Sequence, residues 1–354
     1  MLIVAQPAKT ASKWTLALMV AAAWCLATLP GCGVEPEAKA RWRIVGEDLP
    51  GALFSVAGRS ASDVWVVGSD RGEGRGPTVL RFDGKAWSRP DAGLSKGHLL
   101  WVHVLADGTA FTSGSGGVIL RWQDGKPTVL QTPGKGLVWG VWAADATHGF
   151  AVGGDASATA SEAFVWRLEG DTFTAVDFAP ALAKPAAWFK VFGRSMDDVH
   201  FCGIDGALRH FDGSAFADLD AGTTRTLLTI HGRADGSLIT AVGGQFSATV
   251  VASTAGGAFV DVTPKGDPPL QLMGVHHQGA VGYASGMEAT VLRHDGTAWQ
   301  PELHGLEVYE SLHGIWSAES GEVFAVGGQV IAPPFGRGVL MHKGKVALPA
   351  LVDL

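Results

Sequence analysis

One pattern of apolar and polar positions recurs seven times after residue 50. Each repeat holds a short apolar strand that closes on glycine, and a second strand that usually runs into Asp-Gly. In segment 64–67 the apolar residues are consecutive, whereas a half-exposed strand would alternate with polar residues. The closing glycines lie 39 to 50 residues apart, at Gly68, Gly114, Gly153, Gly203, Gly243, Gly286 and Gly327.

This spacing predicts the architecture. A period of about 40–45 residues with several short strands per unit is typical of a β-propeller blade. Strands that are apolar on both faces agree, because each blade is sandwiched between two neighbours. In the first repeat, the predicted strands are 53–58, 64–67, 79–82 and a fourth from Trp87. The sequence predicts an all-β fold, a seven-bladed β-propeller of four-stranded antiparallel blades.

The sequence leaves two features of the predicted ring undecided. Blade five lacks the Asp-Gly turn and has Ala-Gly-Gly at 255–257, which makes it the weakest repeat. The outer strand of the last blade has two candidates, segment 41–45, acting as a clasp, and segment 346–351. Ring closure could therefore come from either end of the repeat region.

Arginine recurs in the third strand of several repeats. Arg81, Arg121, Arg167 and Arg209 are interpreted as equivalent positions. Because a catalytic residue is seldom needed once per blade, we expect these arginines to be structural and ion-paired between blades.

Composition narrows the function classes. The chain has 49 glycines in 354 residues, with 47% apolar and 17% charged residues, so the glycines indicate turns between buried strands. The formal net charge is −7 and no long basic run occurs. A nucleic-acid surface needs a stripe of Lys and Arg, so the sequence predicts no nucleic-acid partner.

Residues 1–31 have the pattern of an export signal. Lys9 and Lys13 precede an apolar run at 14–29, and the segment 29–32, Leu-Pro-Gly-Cys, resembles a bacterial lipobox. The resemblance implies cleavage before Cys32 and attachment of lipid to its thiol and new amine. An ordinary cleavable signal is the alternative, whereas the 16-residue run is short for a membrane span, which needs about 20 residues.

The lipobox implies a lipid-anchored protein of the bacterial cell envelope. Gly33 stands where inner-membrane retention often uses Asp, which favours the outer membrane. Residues 32–40 then form the lipidated cysteine and a tether, and residues 41–354 form the propeller. The remaining cysteine outside the signal, Cys202, lies in a predicted buried strand and is interpreted as a structural thiol.

The segments 63–68 and 80–87 resemble a repeat of exported bacterial propeller lipoproteins. That repeat has the rough form G-V-W-G, then D-V-W-A-V-G, then I-L-H-Y-D-G and a Trp. The resemblance covers about residues 50 to 350 and implies a fold loosely related to kelch, WD40 and photosystem-assembly-factor propellers. It implies no activity.

Motifs of known chemistry are sparse. The sequence has no P-loop, no G-x-S-x-G, no H-E-x-x-H and no EF-hand loop. Histidines cluster between 276 and 313, and three of them converging with a carboxylate could hold a metal. His276, His277 and His304 are the weak candidates, but repeat positions in this stretch favour structural or surface roles. We therefore predict no metal and no cofactor.

Long loops give the better indication of a site. The loops between the second and third strands are longest at 69–77, 155–162 and 329–337, in blades one, three and seven. Blades one and seven become neighbours when the ring closes. The predicted binding patch consists of Arg71, Glu73, Arg75, Phe335 and Arg337.

The sequence thus predicts a non-catalytic scaffold that binds an envelope protein or glycan through its loops. A carbohydrate-active enzyme, either a glycoside hydrolase or a lyase, is the alternative. An enzyme should lose turnover when one carboxylate or histidine is replaced, whereas a binding scaffold should tolerate such changes.

Overall fold

The strands form seven separate antiparallel sheets of four strands. The computed structural model describes residues 39–157, 162–179, 182, 184–254, 256–266 and 268–351. Cys32 and the predicted signal lie outside the described residues. Within the described part the predicted seven-bladed propeller is confirmed, and no helix there is long and apolar enough to span a membrane.

In blades one to three, each blade starts with its innermost strand and proceeds outward along the chain. Blade one holds β2 (Leu53–Ser60), β3 (Asp63–Asp70), β4 (Pro77–Phe82) and β5 (Trp87–Ser88). Blade two holds β6 (Leu99–Val104), β7 (Ala110–Gly114), β8 (Ile119–Gln123) and β9 (Lys126–Val129). Blade three holds β10 (Val138–Ala143), β11 (His148–Gly153), β12 (Phe164–Glu169) and β13 (Thr172–Ala175).

Blades four to six repeat this order, and two short 3-10 turns at Ser115–Gly117 and Ile204–Gly206 join second to third strands in blades two and four. Blade four holds β14 (Trp188–Ser195), β15 (Asp198–Gly203), β16 (Leu208–Phe211) and β17 (Phe216–Asp218). Blade five holds β18 (Leu227–Gly232), β19 (Ile239–Gly244), β20 (Ala248–Ser253) and β21 (Val260–Asp261). Blade six holds β22 (Leu272–Gln278), β23 (Val281–Gly286), β24 (Val291–His294) and β25 (Trp299–Pro301).

Blade seven closes the ring with a strand from the other end of the chain. It contains β26 (Ser311–Ser317), β27 (Val323–Gly328), β28 (Gly338–Gly344) and, as its outer strand, β1 (Arg41–Leu49). Strand β1 runs antiparallel to β28, with Arg41 opposite Gly344 and Leu49 opposite Gly338. Of the two candidates for this position, the N-terminal segment forms the clasp. The Leu351 amide then bonds to the Val45 oxygen at 2.8 Å, so the C-terminal segment reaches the outside of the clasp.

Packing between blades uses both faces of the second strand, as the consecutive apolar residues of β3 predicted. Val64 and Val66 belong to a cluster with Phe324 of blade seven. Trp65 faces the other way, and its ring lies 5.3 Å from the ring of Trp122 in blade two. Each blade is therefore held by apolar burial on both sides.

Hydrogen bonds link the inner strands of neighbouring blades around the central channel. Each of these bonds joins a side chain of one inner strand to a backbone carbonyl of the next blade. They are Trp101 Nε1 to the Val141 oxygen at 3.1 Å, His103 Nε2 to the Ala143 oxygen at 3.0 Å, and His313 Nδ1 to the Phe54 oxygen at 2.6 Å.

Cys202 takes no part in a disulfide and is fully buried in β15. Burial raises the pKa of its thiol to about 12, so it is a neutral apolar group at physiological pH. This is the environment expected of a structural thiol.

Two predictions about the arginines are corrected. Ion pairing between blades holds for Arg121 with Asp171, whereas Arg81, Arg167 and Arg209 each pair with a carboxylate of their own blade.

The strand register corrects the second prediction, that the four arginines occupy equivalent positions. Arg81, Arg121 and Arg167 each pair with an aromatic residue of the second strand. In blade four the residue at this position is His210, which pairs with His200, and Arg209 lies one position earlier. A shift by one residue turns a side chain to the other face of a strand. Arg209 is accordingly fully buried, where it contacts Asp218 and the rings of Phe178 and Trp188.

Candidate functional site

One face of the ring collects the loops between second and third strands and the segments that join consecutive blades; we call it the loop face. On this face the blade seven loop is fixed to blade one through Phe335. The Phe335 carbonyl accepts hydrogen bonds from the Ala52 amide at 3.2 Å and the Ser69 hydroxyl at 2.9 Å. The loop of the last blade therefore contacts blade one just before β2 and near the end of β3.

The Phe335 ring is half-buried. It packs edge-on against Phe54 at 5.4 Å and His98 at 5.2 Å between ring centroids. Phe54 lies in an apolar cluster with Leu100 and Met273, which come from the inner strands of blades two and six. Phe335 thus packs over apolar residues at the start of the inner strands, on the loop-face end of the channel.

Arg71, Glu73 and Arg75 form a charged cluster with Arg89, which lies in the segment between blades one and two. Arg89 pairs with Glu73 at 3.3 Å, and Arg75 and Arg89 both line a hollow of about 460 Å³. Burial, and then the charge of Arg89, lower the pKa of Arg71, and Arg75 adds to this effect while Glu73 opposes it. We call Arg71, Arg75 and Arg89 the basic group; they lie close enough to repel one another.

Arg337 forms its ion pairs apart from the basic group. Its guanidinium group pairs with Glu310 at 2.7 Å and with Asp48 at 3.3 Å. Its charge is therefore balanced by two carboxylates, although 65% of its side chain is exposed. The predicted patch is thus divided, with Phe335 between a basic part on blade one and a charge-balanced part on blade seven.

Sequence reasoning missed four exposed apolar side chains on the loop face, and a fifth, Ile331, lies in the loop 329–337 that the sequence singled out. The most exposed are Leu303, at 91%, and Phe246, at 82%. We call this set the apolar band; it runs over blades five to seven and consists of Phe246, Leu270, Leu303, Tyr309 and Ile331.

The three histidines considered as weak metal candidates have separate protein partners. His276 Nδ1 lies 3.0 Å from the Ser317 hydroxyl, and His277 Nε2 lies 2.9 Å from the Thr240 hydroxyl. His304 Nε2 bonds to the Ala289 oxygen at 3.1 Å. Burial lowers the pKa of His276 and His277 well below the ordinary value, so both are neutral. In the described part of the chain these three do not assemble as ligands of one ion.

The channel end opposite the loop face is a cavity of about 470 Å³ lined by histidine and tryptophan side chains.

Sequence reasoning also missed Lys190, a buried residue of β14, the inner strand of blade four. Its ammonium group donates to the Trp139 oxygen at 2.9 Å and lies 4.5 Å from the Trp101 ring. Burial lowers its pKa to about 8. These contacts hold the inner strands of blades two, three and four together.

Comparisons in sequence find no matching family model and no matching curated protein. Solved structures match in fold. YCF48 from Cyanidioschyzon merolae is 19% identical with a TM-score of 0.62, covering 86% of this chain and 99% of its own. YCF48 bound to D1 peptide is 13% identical with a TM-score of 0.63, covering 88% and 99%.

WD40 propellers are also among the similar structures, which agrees with the resemblance inferred from the repeats. Virginiamycin B lyase from Staphylococcus aureus is 11% identical with a TM-score of 0.63, covering 86% of this chain and 100% of its own. At identities this low, the likeness shows the fold alone, and this fold serves binding proteins and enzymes alike.

Proposed function

We propose that this protein is a non-catalytic scaffold, lipid-anchored in the bacterial envelope, that binds a segment of a partner protein through its loop face. One observation carries the proposal: the apolar band and the basic group share that face. Exposed apolar side chains grouped on one surface are typical of protein interaction sites. Aromatic residues and arginines are also the side chains most enriched at binding hot spots.

The chemistry of the face indicates the partner. Leu303, Ile331 and Phe246 offer apolar surface with little hydrogen-bonding capacity, which favours a polypeptide over a glycan. In the basic group, the Arg89 side chain is 5% exposed and paired with Glu73, whereas Arg75 is exposed and Arg71 is half-buried, so an acidic side chain of the partner would meet the positive charges of Arg71 and Arg75. We therefore expect the partner segment to combine apolar residues with acidic ones.

The comparisons support a peptide as the ligand class. A solved propeller of the same fold, YCF48, is described with a bound peptide. That relationship concerns the fold, so the binding surface of this chain must be tested on its own residues.

The test is a selection from a peptide display library against the purified protein. Two charge-reversal variants serve as a matched pair: Arg71→Glu with Arg75→Glu on the loop face, and Lys85→Glu with Lys126→Glu at the turns of the opposite face. We expect acidic, apolar peptides that bind the wild type and the second variant and are lost with the first. Peptides that bind all three proteins equally, or a selection that yields no binding peptide, would contradict the proposal.

Anchoring is tested separately. Cys32→Ser removes the thiol that the lipobox resemblance assigns to lipid, so the protein should leave the membrane fraction and lose incorporation of labelled fatty acid. Cys202→Ser, within the buried strand, is the control and should remain membrane-bound. Unchanged fractionation of Cys32→Ser would overturn the lipid anchor without affecting the binding proposal.

A further inference from the structure

Blade four brings together a carboxylate and two imidazoles at the end of the ring opposite the loop face. Asp198, His200 and His210 each offer one ligand atom, and these atoms all lie within 4.8 Å of one another. No other such group of three occurs in the described residues. We propose that these three side chains form a site for a divalent transition metal, with Zn²⁺ as the best-fitting ion.

The distances suit a small ion with nitrogen and oxygen ligands. Asp198 Oδ1 lies 2.8 Å from His210 Nε2 and 3.6 Å from His200 Nδ1. Tetrahedral zinc, with bonds of about 2.0–2.1 Å, separates neighbouring ligand atoms by roughly 3.3 Å. These two separations lie on both sides of this value, and the two imidazole nitrogens lie within 4.8 Å of each other, so side-chain rotations can bring all three atoms to bonding distance.

The carboxylate is already oriented for this role. Arg194 forms an ion pair with Asp198 through Oδ2, which leaves Oδ1 facing the two histidines. Partners that fix the second oxygen of a ligating carboxylate are a usual part of metal sites. The positive charge of Arg194 lowers the affinity for a cation, so we expect moderate rather than extreme binding strength.

Blade one shows what the same positions do when they are purely structural. There Asp63 forms ion pairs with Arg59 at 3.0 Å and with Arg81 at 3.2 Å. Trp65 pairs with Arg81 across the strands, and the guanidinium group lies 4.9 Å from its ring. These positions hold a carboxylate, two arginines and one aromatic ring.

Blade four has the same carboxylate and first arginine, but it has histidines at the positions of the aromatic ring and the second arginine. Asp198 and Arg194 stand in for the carboxylate and the first arginine, with the same spacing of four residues. His200 and His210, paired across the strands, stand in for Trp65 and Arg81. Blade one has an arginine and a tryptophan at these positions, and these side chains do not bind metals. Blade four has two imidazoles there, and both face one carboxylate oxygen.

The site is reachable from solvent. Asp198, His200 and His210 line a hollow of about 320 Å³ between blades four and five, with Ser253 and Phe259 on its other side. Three protein ligands with an open fourth position is the arrangement in which zinc keeps an exchangeable water or takes up another ligand. Imidazole ligands also favour zinc or copper over Mg²⁺ and Ca²⁺, which prefer oxygen.

The experiment uses the full chain, made without a histidine tag and with Cys25→Ser and Cys32→Ser, so that the buried Cys202 is the one remaining thiol. Zn²⁺ is titrated by calorimetry, and Co²⁺ is used as a spectroscopic probe of tetrahedral ligand geometry. We expect one ion per chain. His210→Arg, which restores the chemistry of blade one and its ion pair, should weaken binding by more than about 100-fold, since it removes a ligand rather than an outer partner.

Two controls make the result decisive. His148→Asn removes the imidazole of an exposed pair with Asp145, and should leave the affinity unchanged if binding belongs to blade four. His200→Phe, which places the ring common in other blades, should weaken binding like His210→Arg while the metal-free melting temperature stays close to that of the parent. An affinity unaltered by both blade-four substitutions, or the absence of stoichiometric binding, would overturn the site.

Discussion

The hydroxyl of Ser69 donates a hydrogen bond of 2.9 Å to the carbonyl of Phe335, a residue 266 positions away in the chain. This contact joins the long loop of the last blade to the end of β3 in the first blade. It also explains why Phe335 is half-buried, because the backbone that accepts this bond places the ring over Phe54 and His98. The loop face is therefore assembled by ring closure and not by either loop alone.

Trp65→Ala should lower the free energy of unfolding by about 3–5 kcal/mol. Its side chain is 1% exposed and packs on Trp122 of the next blade, so truncation leaves a cavity between two blades. Chemical denaturation followed by circular dichroism measures the change. Phe246→Ala, at an exposed ring, is the control and should leave stability nearly unaltered; a similar small effect for Trp65→Ala would show that blade packing is not what stabilises the ring.

Deletion of residues 41–49 should cause aggregation as well as loss of stability. Strand β1 is the outer partner of β28, and its removal exposes the edge of β28 together with the surface that Trp42 covers. Size-exclusion chromatography and thermal melting report both effects. A deletion variant that elutes like the parent and keeps the parental melting temperature would rule out β1 as the clasp.

Mild acid should destabilise the propeller. Burial lowers the pKa of His103 and His313 to about 4, from an ordinary value of 6.5, although each donates to a backbone oxygen. Between these values the unfolded chain binds more protons than the folded one, so the contribution of these histidines to stability is full above pH 6.5 and is lost as the pH drops towards 4. Each histidine contributes a slope of up to about 1.4 kcal/mol per pH unit.

His313→Gln tests the origin of this slope, because glutamine can keep a donor near the Phe54 oxygen but does not titrate. Unfolding free energies of the variant, measured between pH 7.5 and 4.5, should fall less steeply than those of the parent. Equal slopes would assign the acid sensitivity to other groups.

Cys202 should resist alkylation in the native protein. Its thiol is buried and its pKa is raised to about 12, so almost no thiolate forms at neutral pH. In a Cys25→Ser, Cys32→Ser background, labelling with iodoacetamide should require denaturant. Rapid labelling without denaturant would show that β15 opens readily.

Much of the fold follows from the sequence because each blade repeats a local signal. The glycine that ends each second strand and the run at 64–67 indicate period and double-sided burial without knowledge of other blades. Register is harder. Arg209 resembles Arg81 by local motif, yet the turn at Asp212 fixes His210 in that position, and only strand pairing reveals it.

The site was predictable only in part, because its contacts join segments distant in sequence. Arg71 and Arg75 were found from loop length, but their neighbour Arg89 lies in another segment. The sequence placed Phe335 in the patch but did not indicate its burial, because Phe54 and His98 come from other blades. In the sequence, His200 and His210 are indistinguishable from other repeat residues. The strand pairing shows that both lie against Asp198.

The most direct test of the central claim is the affinity of a selected peptide for three forms of the protein. Leu303→Ser with Tyr309→Ser removes two members of the apolar band, whereas Val346→Ser removes an exposed apolar residue that follows β28, on the face opposite the loop face. We predict that binding weakens at least tenfold in the first variant, equivalent to about 1.4 kcal/mol, and is unchanged in the second. Equal affinities for all three forms would contradict a protein-binding loop face.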